Sequence, residues 1–175
     1  MEQHSRKQRI NSWYEVYSND VFNYAFFMIG DREQALDIVQ DTFIRAYNNL
    51  EKFEGGREKS WLFRIARNLT IDYIRKNITL ANYLSFLPFG MNNSERSAED
   101  IAIFNESEKQ LYLALSKIKP SFRDVIILRK IKEFSIGETA EILDCSEAKV
   151  KVDLFRALKV LRKELEKEGF KYEAI

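Results

Sequence analysis

Three runs of side chains in this sequence have the types and spacing for charge-based recognition. Along WLFRIARNLTIDYIRK, residues 61–76, Arg64, Arg67 and Arg75 recur at helical spacing, with Trp61 and Asn68 toward the edge of the same face. Guanidinium groups so placed can steer phosphates, an amide can hydrogen-bond an exposed base edge, and an indole can stack on an unpaired base, worth about 1–3 kcal/mol. The competing assignment puts Trp61 in a core and pairs the arginines with Asp72 and with acids on neighbouring helices. The second run, from Glu147 to Lys163, holds six cations and two anions. Lys149, Val152, Arg156, Lys159 and Lys163 share a face, with Lys151 and Phe155 on its flanks. Such a face neutralises phosphates, and Val152 suits contact with a thymine methyl. A helical hairpin with a solvated basic face has the same pattern. In the third run Asp37, Asp41, Ile44 and Asn48 lie together, with Gln40 and Arg45 at the sides. Like charges four apart cost roughly a few tenths of a kcal/mol in a helix. The face is therefore either solvated, with Arg45 offsetting Asp41, or an acidic patch aimed at a basic partner.

Covalent chemistry is not expected. His4 is the single histidine and Cys145 the single cysteine, so no disulfide can form within the chain and no Cys-rich zinc site exists. There is no Gly-rich phosphate loop, no metal spacing of His and Glu, and no His near a nucleophile. The expectation is a non-enzyme without metal or cofactor. The most apolar stretch, Val21–Ile29, includes Asn23 and falls far short of the ~20 residues that span a bilayer. With no cleavable leader visible, a reducing, cytoplasmic setting is expected.

The elements that position these faces are helices. Six Gly and two Pro in 175 residues are too few for a turn-dense β fold, which leaves an all-α chain. The spacing predicts a helix from Ser12 to about Ile29, a break at Gly30, and a second helix behind Asp31 and Gln34, which have capping-box spacing. Ala35, Val39, Thr42, Phe43, Ala46 and Leu50 form the buried stripe of that second helix, which ends near Leu50. Ser60 is a candidate N-cap for the third, whose stripe is Leu62, Ile65, Ala66, Leu69 and Tyr73. Farther on, helices are expected over Asn105–Ile118 and Ser121–Lys132, the latter with Pro120 near its first turn. Ser135 and Glu138 form a capping box for Ile136–Leu143. Asp144, Cys145 and Ser146 make a tight turn, and Ser146 caps a helix with the stripe Val150, Leu154, Ala157, Leu158, Leu161 and Leu165. Two short helices across a three-residue turn are a helix-turn-helix pattern.

The formal net charge of +1 hides a division. Residues 1–76 hold 12 basic and 11 acidic side chains, residues 77–106 hold 1 and 4, and residues 107–175 hold 15 and 12, giving +1, −3 and +3. A uniformly basic coat for nucleic acid is excluded, and 45% hydrophobic with 13% aromatic residues excludes a disordered chain. Two small helical domains are expected at 1–76 and 107–175, joined by a linker over 77–106 that carries the apolar cluster Tyr83, Leu84, Phe86, Leu87 and Phe89.

Taken together, ALDIVQDTFIRAY, WLFRIARNLTIDYIRK and KPSFRDVIILRKIKEFSIGETAEILDCSEAKVKVDLFRALKVLRKEL resemble, in order and spacing, the extracytoplasmic-function (ECF) class of bacterial sigma-70 initiation factors. The resemblance covers roughly residues 13–76 and 107–165. It implies that residues 1–76 are sigma domain 2, which binds core RNA polymerase and melts the −10 element, and that residues 107–175 are sigma domain 4, which reads the −35 element. Asp37, Gln40, Asp41, Ile44 and Asn48 would then meet polymerase, on the clamp helices of β′. Asn68 would sit where a flipped −10 base is bound, with Trp61, Arg64, Arg67 and Arg75 near the strand. Lys149, Lys151, Val152, Phe155, Arg156 and Lys159 would face the −35 major groove, with Lys151 and Arg156 at the family's commonest basic positions.

Several positions depart from that pattern. Asp153 stands where a basic residue is usual, Val152 replaces a small polar residue, Lys149 takes a Thr position, and Glu133 and Asp144 replace glycines at turns. The implied partners are core polymerase through β′ and β, promoter DNA, and an anti-sigma protein that is often membrane-bound. The readings without the resemblance are a helix-turn-helix regulator acting without polymerase and a protein-interaction adaptor.

Overall fold

In the computed structural model, which describes residues 2–84 and 105–169, every regular element is helical. Helix α1 spans Glu2–Ile29, α2 Arg32–Asn48 and α3 Glu58–Leu84, with a 3-10 turn at Leu50–Lys52. Helix α4 follows at Glu106–Ser116, α5 at Pro120–Ile126, α6 at Ile136–Leu143 and α7 at Glu147–Lys167. A single π-helical turn, Ile127–Ile131, extends α5.

The first three helices pack on one another through Val21, Tyr24 and Met28 of α1, Ala35, Val39 and Phe43 of α2, and Leu62 and Ala66 of α3, all buried. Gly30 turns the chain with φ 71°, its N–H donating to the Phe26 carbonyl, and Asp31 accepts from the Gln34 N–H at 3.0 Å to start α2. Helix α1 begins well before the expected Ser12. No Pro or Gly interrupts residues 2–11, Ile10 is buried, and Arg9 lies over the rings of Trp13 and Phe53 at 5.1 and 5.3 Å. These contacts give a polar stretch a reason to stay helical that its periodicity does not display.

Two further expectations are corrected. Ser60 is no N-cap, because α3 already starts at Glu58; its side chain is buried and its hydroxyl donates to Glu138 at 3.4 Å. Leu50 lies beyond α2, which ends at Asn48, and is buried from the 3-10 turn instead. Helix α3 also runs past Lys76 to Leu84. Of the apolar cluster, Phe86, Leu87 and Phe89 lie outside the described residues.

The two caps expected in the second half are present: Ser135 and Glu138 form a capping box for α6, and Ser146 accepts from the Lys149 N–H. Asn105 and Glu108 form a further capping box, for α4. Serine capping holds the Glu138 carboxyl below its usual value, chiefly through the Ser135 backbone N–H. Asp144 ends α6 in the left-handed conformation (φ 53°, ψ 53°), and the Cys145 N–H reaches back to the Ala140 carbonyl. Glu133 is left-handed as well, with φ 59°. Left-handed backbone costs a residue with a Cβ roughly 1–2 kcal/mol, and the extra chain entropy of Gly returns about half of that. Glu133→Gly should therefore stabilise the protein by about 0.5–1 kcal/mol. Thermal unfolding checks this, and an unchanged or lowered midpoint would mean that the Glu133 side chain makes a compensating contact.

The two halves share a core. Phe63 meets Phe134 edge-on at 4.8 Å between ring centroids, and Phe26 stacks on Tyr112 at 5.5 Å. Phe63, Phe26 and Tyr112 are all buried, each contributing about 1.5–3 kcal/mol of burial. Helix α3 consequently has two buried faces. Phe63 and Thr70, absent from its expected stripe, are enclosed with Leu62 and Ala66.

At the centre of the junction stand Arg123 and Asp124. The Arg123 guanidinium donates to the carbonyls of Leu115 (2.8 Å), Ser116 (3.1 Å) and Ile118 (2.9 Å), and crosses to the Met28 carbonyl near the end of α1. Asp124, with no exposure, accepts from the Tyr24 hydroxyl at 2.9 Å and from Arg67 Nε at 3.1 Å. Nearer the surface Asp20 accepts from Lys132 at 2.8 Å and pairs with Lys59 at 3.0 Å. Desolvation opposes the charged form of Asp20, yet these two ammonium groups hold its carboxyl below the usual value. Its stabilising part is thus present at neutral pH and lost as acid pH falls through the lowered value. Asp124 is the reverse: burial pushes its carboxyl above the usual value despite Arg67, so its part is present in acid and fades as pH rises through the raised value.

Candidate nucleic-acid and polymerase interface

The end of α2 and the first half of α3 enclose a cavity of about 310 Å³. Trp61, Arg64 and Asn68 line it from α3, facing Arg45, Asn49 and Lys52. Trp61 is half-buried. One side of its indole packs against Phe53 (5.3 Å) and Trp13 (6.1 Å), while its remaining surface walls the cavity. Asn68 and Arg64 are exposed, so their polar groups are available. Three cations, two amides and an indole thus surround one hollow, the groups that phosphate attraction, hydrogen bonding and stacking would require.

Not all of the α3 cations join it. Arg67 is half-buried and directed to Asp124, and Arg75 is exposed about two turns beyond Asn68. Arg64 itself stands 4.0 Å from Asp144 of the α6–α7 turn. The arginine partners are thus acids of the second half of the chain; no ion pair to Asp72 is formed among the described residues. Sequence reasoning missed Asn49 and Lys52, and placed Arg45 at the edge of the acidic face. Their signal was weak: an amide and a cation where α2 gives way to the 3-10 turn.

On α2, Asp37, Gln40, Asp41, Ile44 and Asn48 are all exposed. Ile44 keeps 57% of its surface, and beside it opens an apolar groove of about 390 Å³ whose walls include Ile10, Tyr14, Gln40, Phe43 and Tyr47. Gln40 and Ile44 belong to both features. Tyr14, 46% exposed with its ring 5.0 Å from that of Phe43, brings α1 into this surface. The available signal was an aromatic residue at the margin of the buried face of α1, beside Val21 and Met28 in helical projection.

On α7, Lys149, Lys151, Val152, Phe155, Arg156 and Lys159 are all exposed. Phe155 keeps 63% and Val152 47% of their surfaces, and the Lys159 ammonium lies 4.7 Å from the Phe155 ring centre. Lys149 is tied to Asp153 one turn on, which raises its pKa. The Asp153 departure therefore removes one cation from the face and leaves Lys151, Arg156 and Lys159 to carry it.

Residues 13–78 match the family model for sigma-70 region 2, and residues 108–161 that for sigma-70, region 4. The chain is 37% identical over 158 residues to the ECF RNA polymerase sigma factor SigX of Bacillus subtilis, covering 87% of this chain and 81% of that one. The chain belongs to the ECF sigma factors. SigM of the same organism is 33% identical to this sigma factor over 156 residues, covering 87% and 93%. The fold has solved counterparts as well. The sigma factor RpoE of Bartonella quintana, in complex with the anti-sigma factor NepR, superposes with a TM-score of 0.74 at 22% identity, covering 91% of this sigma factor and 98% of that chain. CnrH, in complex with the cytosolic domain of CnrY, gives 0.67 at 23% identity, covering 91% and 89%. These matches bear out the all-α fold and the sigma-factor assignment. They also remove the polymerase-independent regulator and the adaptor as readings. Among the described residues of this sigma factor, no helix is long and apolar enough to cross a membrane, and no group of His, Cys, Asp and Glu could hold a metal ion.

Proposed function

We propose that this sigma factor engages core RNA polymerase through the exposed face of α2 and the adjoining groove, captures an unpaired −10 base in the α2–α3 cavity, and sets α7 in the −35 major groove. The observation that carries the reading is the cavity itself. It brings Trp61, Arg64 and Asn68, singled out for stacking, charge and hydrogen bonding, to a single hollow of about 310 Å³. A nucleobase drawn from the duplex loses stacking worth a few kcal/mol, and an indole wall with an amide can offset about that much. On this reading residues 1–76 act as domain 2 and residues 107–175 as domain 4, and the protein acts in the cytoplasm, supplying recognition while polymerase supplies the chemistry. The anti-sigma factor NepR bound to the solved Bartonella quintana counterpart supports a similar restraining partner here.

Run-off transcription with core polymerase on genomic fragments tests the whole assignment: promoter-specific transcripts are expected, and none would sink it. The cavity has a separate test. Asn68→Ala should reduce permanganate reactivity of −10 thymines about tenfold while leaving the −35 footprint almost unchanged. Equal losses in both assays would place Asn68 outside base capture.

A further inference from the structure

The opening turns of α1 are polar, and from His4 to Asn11 only Ile10 is buried. A solvated helix end of this kind frays unless side chains tie it down. Three of its side chains reach the same place, the connection between α2 and α3. Arg6 Nη1 lies 3.8 Å from a Glu51 carboxylate oxygen, and the Arg9 guanidinium stands over Phe53 at 5.3 Å and over Trp13 at 5.1 Å. Trp13 in turn meets Phe53 edge-on at 5.1 Å. That connection is one wall of the base cavity. Asn49 and Lys52 line it, and the residues that bracket Lys52 are the two that α1 holds, Glu51 before it and Phe53 after it. Phe53 and Trp13 are also the rings against which the Trp61 indole lies. Arg6, Arg9 and Trp13 do not line the hollow themselves; they stand one layer behind the groups that would touch a base.

We propose that the opening turns of α1 are the backing of the base cavity, with Arg9 a positioning residue that acts through Trp13 and Phe53 to hold the Trp61 indole and the Lys52 wall in place. The proposal rests on the base-capture reading of the α2–α3 cavity. Its physical ground is the cost of ordering. A stacking wall that must be fixed when the strand arrives gives up part of its stacking free energy to lost rotamer and loop freedom, whereas one already held by its neighbours keeps it. The ring planes of Trp13 and Phe53 cross at 81° and those of Trp13 and Trp61 at 67°, edge-to-face contacts that set orientation as well as distance. Arg9 spans two of these rings from the solvent side and so closes the cluster. The Arg6–Glu51 pair draws the carboxylate next to Lys52 toward α1, which leaves the Lys52 ammonium to a phosphate. That pair is half exposed and weak, so the larger share falls to Arg9.

The test uses the full chain, with fluorescein-labelled single-stranded dT12 as the probe, at a temperature where circular dichroism shows every variant folded. Arg9→Ala is expected to weaken dT12 binding about three- to fivefold. Arg9→Lys should return it to within about twofold of the parent, because an ammonium can still sit over one ring. The deciding readout is the double substitution. In a Trp61→Ala background, Arg9→Ala should change the affinity by less than about 1.5-fold, since the wall it positions is gone, and the slope of log affinity against log salt should be the same with and without Arg9. An Arg9→Ala loss that persists undiminished without Trp61, with the salt slope reduced by about 0.7, makes Arg9 a phosphate contact and overturns the positioning role. Parental binding by Arg9→Ala, while Trp61→Ala weakens it, overturns the backing and leaves base capture standing. Parental binding by Trp61→Ala overturns the two together.

Discussion

Substituting alanine for Arg123 should lower the stability of the chain by about 3–5 kcal/mol, read as a fall in the urea midpoint at nearly constant slope. One guanidinium gathers carbonyls from the close of α4, the following turn and the close of α1. Helix C-termini leave carbonyls without intrahelical donors, and here two such ends are enclosed where water has little access. Truncation leaves those oxygens desolvated and unpaired, which costs more than the hydrogen bonds themselves contribute. Arg123→Lys should recover less than half of the loss, because one ammonium cannot reproduce the planar fork. A loss below about 1 kcal/mol for the alanine variant would mean that water enters and replaces the donor.

The second large effect belongs to α7. Reversing Lys151 and Arg156 together to glutamate should weaken −35 binding about a hundredfold and abolish run-off transcript from a −35-dependent promoter, while co-elution with core polymerase persists. Both side chains are exposed, so the fold should tolerate the change. The salt dependence of binding should fall by roughly one to two contacts' worth of counterion release. Lys149→Ala should do far less, since Asp153 already engages that ammonium. Retention of −35 binding by the double reversal would move recognition to another face.

The helix-turn-helix was legible because its signals are local. Ser135 with Glu138, Ser146, and the apolar spacing of α7 depend only on neighbours a turn away, and each is in place. The buried stripe of α2 was legible for the same reason. The junction was not. Phe63 and Thr70 break the single-stripe pattern of α3 because a second body covers them, and one helix's periodicity cannot reveal a second neighbour. Asp124 and Ser60 read as surface residues by type; their burial follows from partners distant in sequence, Tyr24 and Arg67 for one and Glu138 for the other. The candidate site divides the same way. Side chains within one helix, such as Trp61, Arg64 and Asn68, were found together, whereas the wall formed by Asn49 and Lys52 depended on how α2 meets α3.

The contact of Trp61 with Trp13 has an optical consequence. The chain has two tryptophans, and they stand 6.1 Å apart in one aromatic cluster. Red-edge excitation therefore samples a single neighbourhood of this protein, and either indole can pass its excitation to the other. A quencher or a base entering the hollow beside Trp61 dims both chromophores at once. The native emission is thereby a label-free gauge of occupancy at that one place, undiluted by signal from the rest of the molecule.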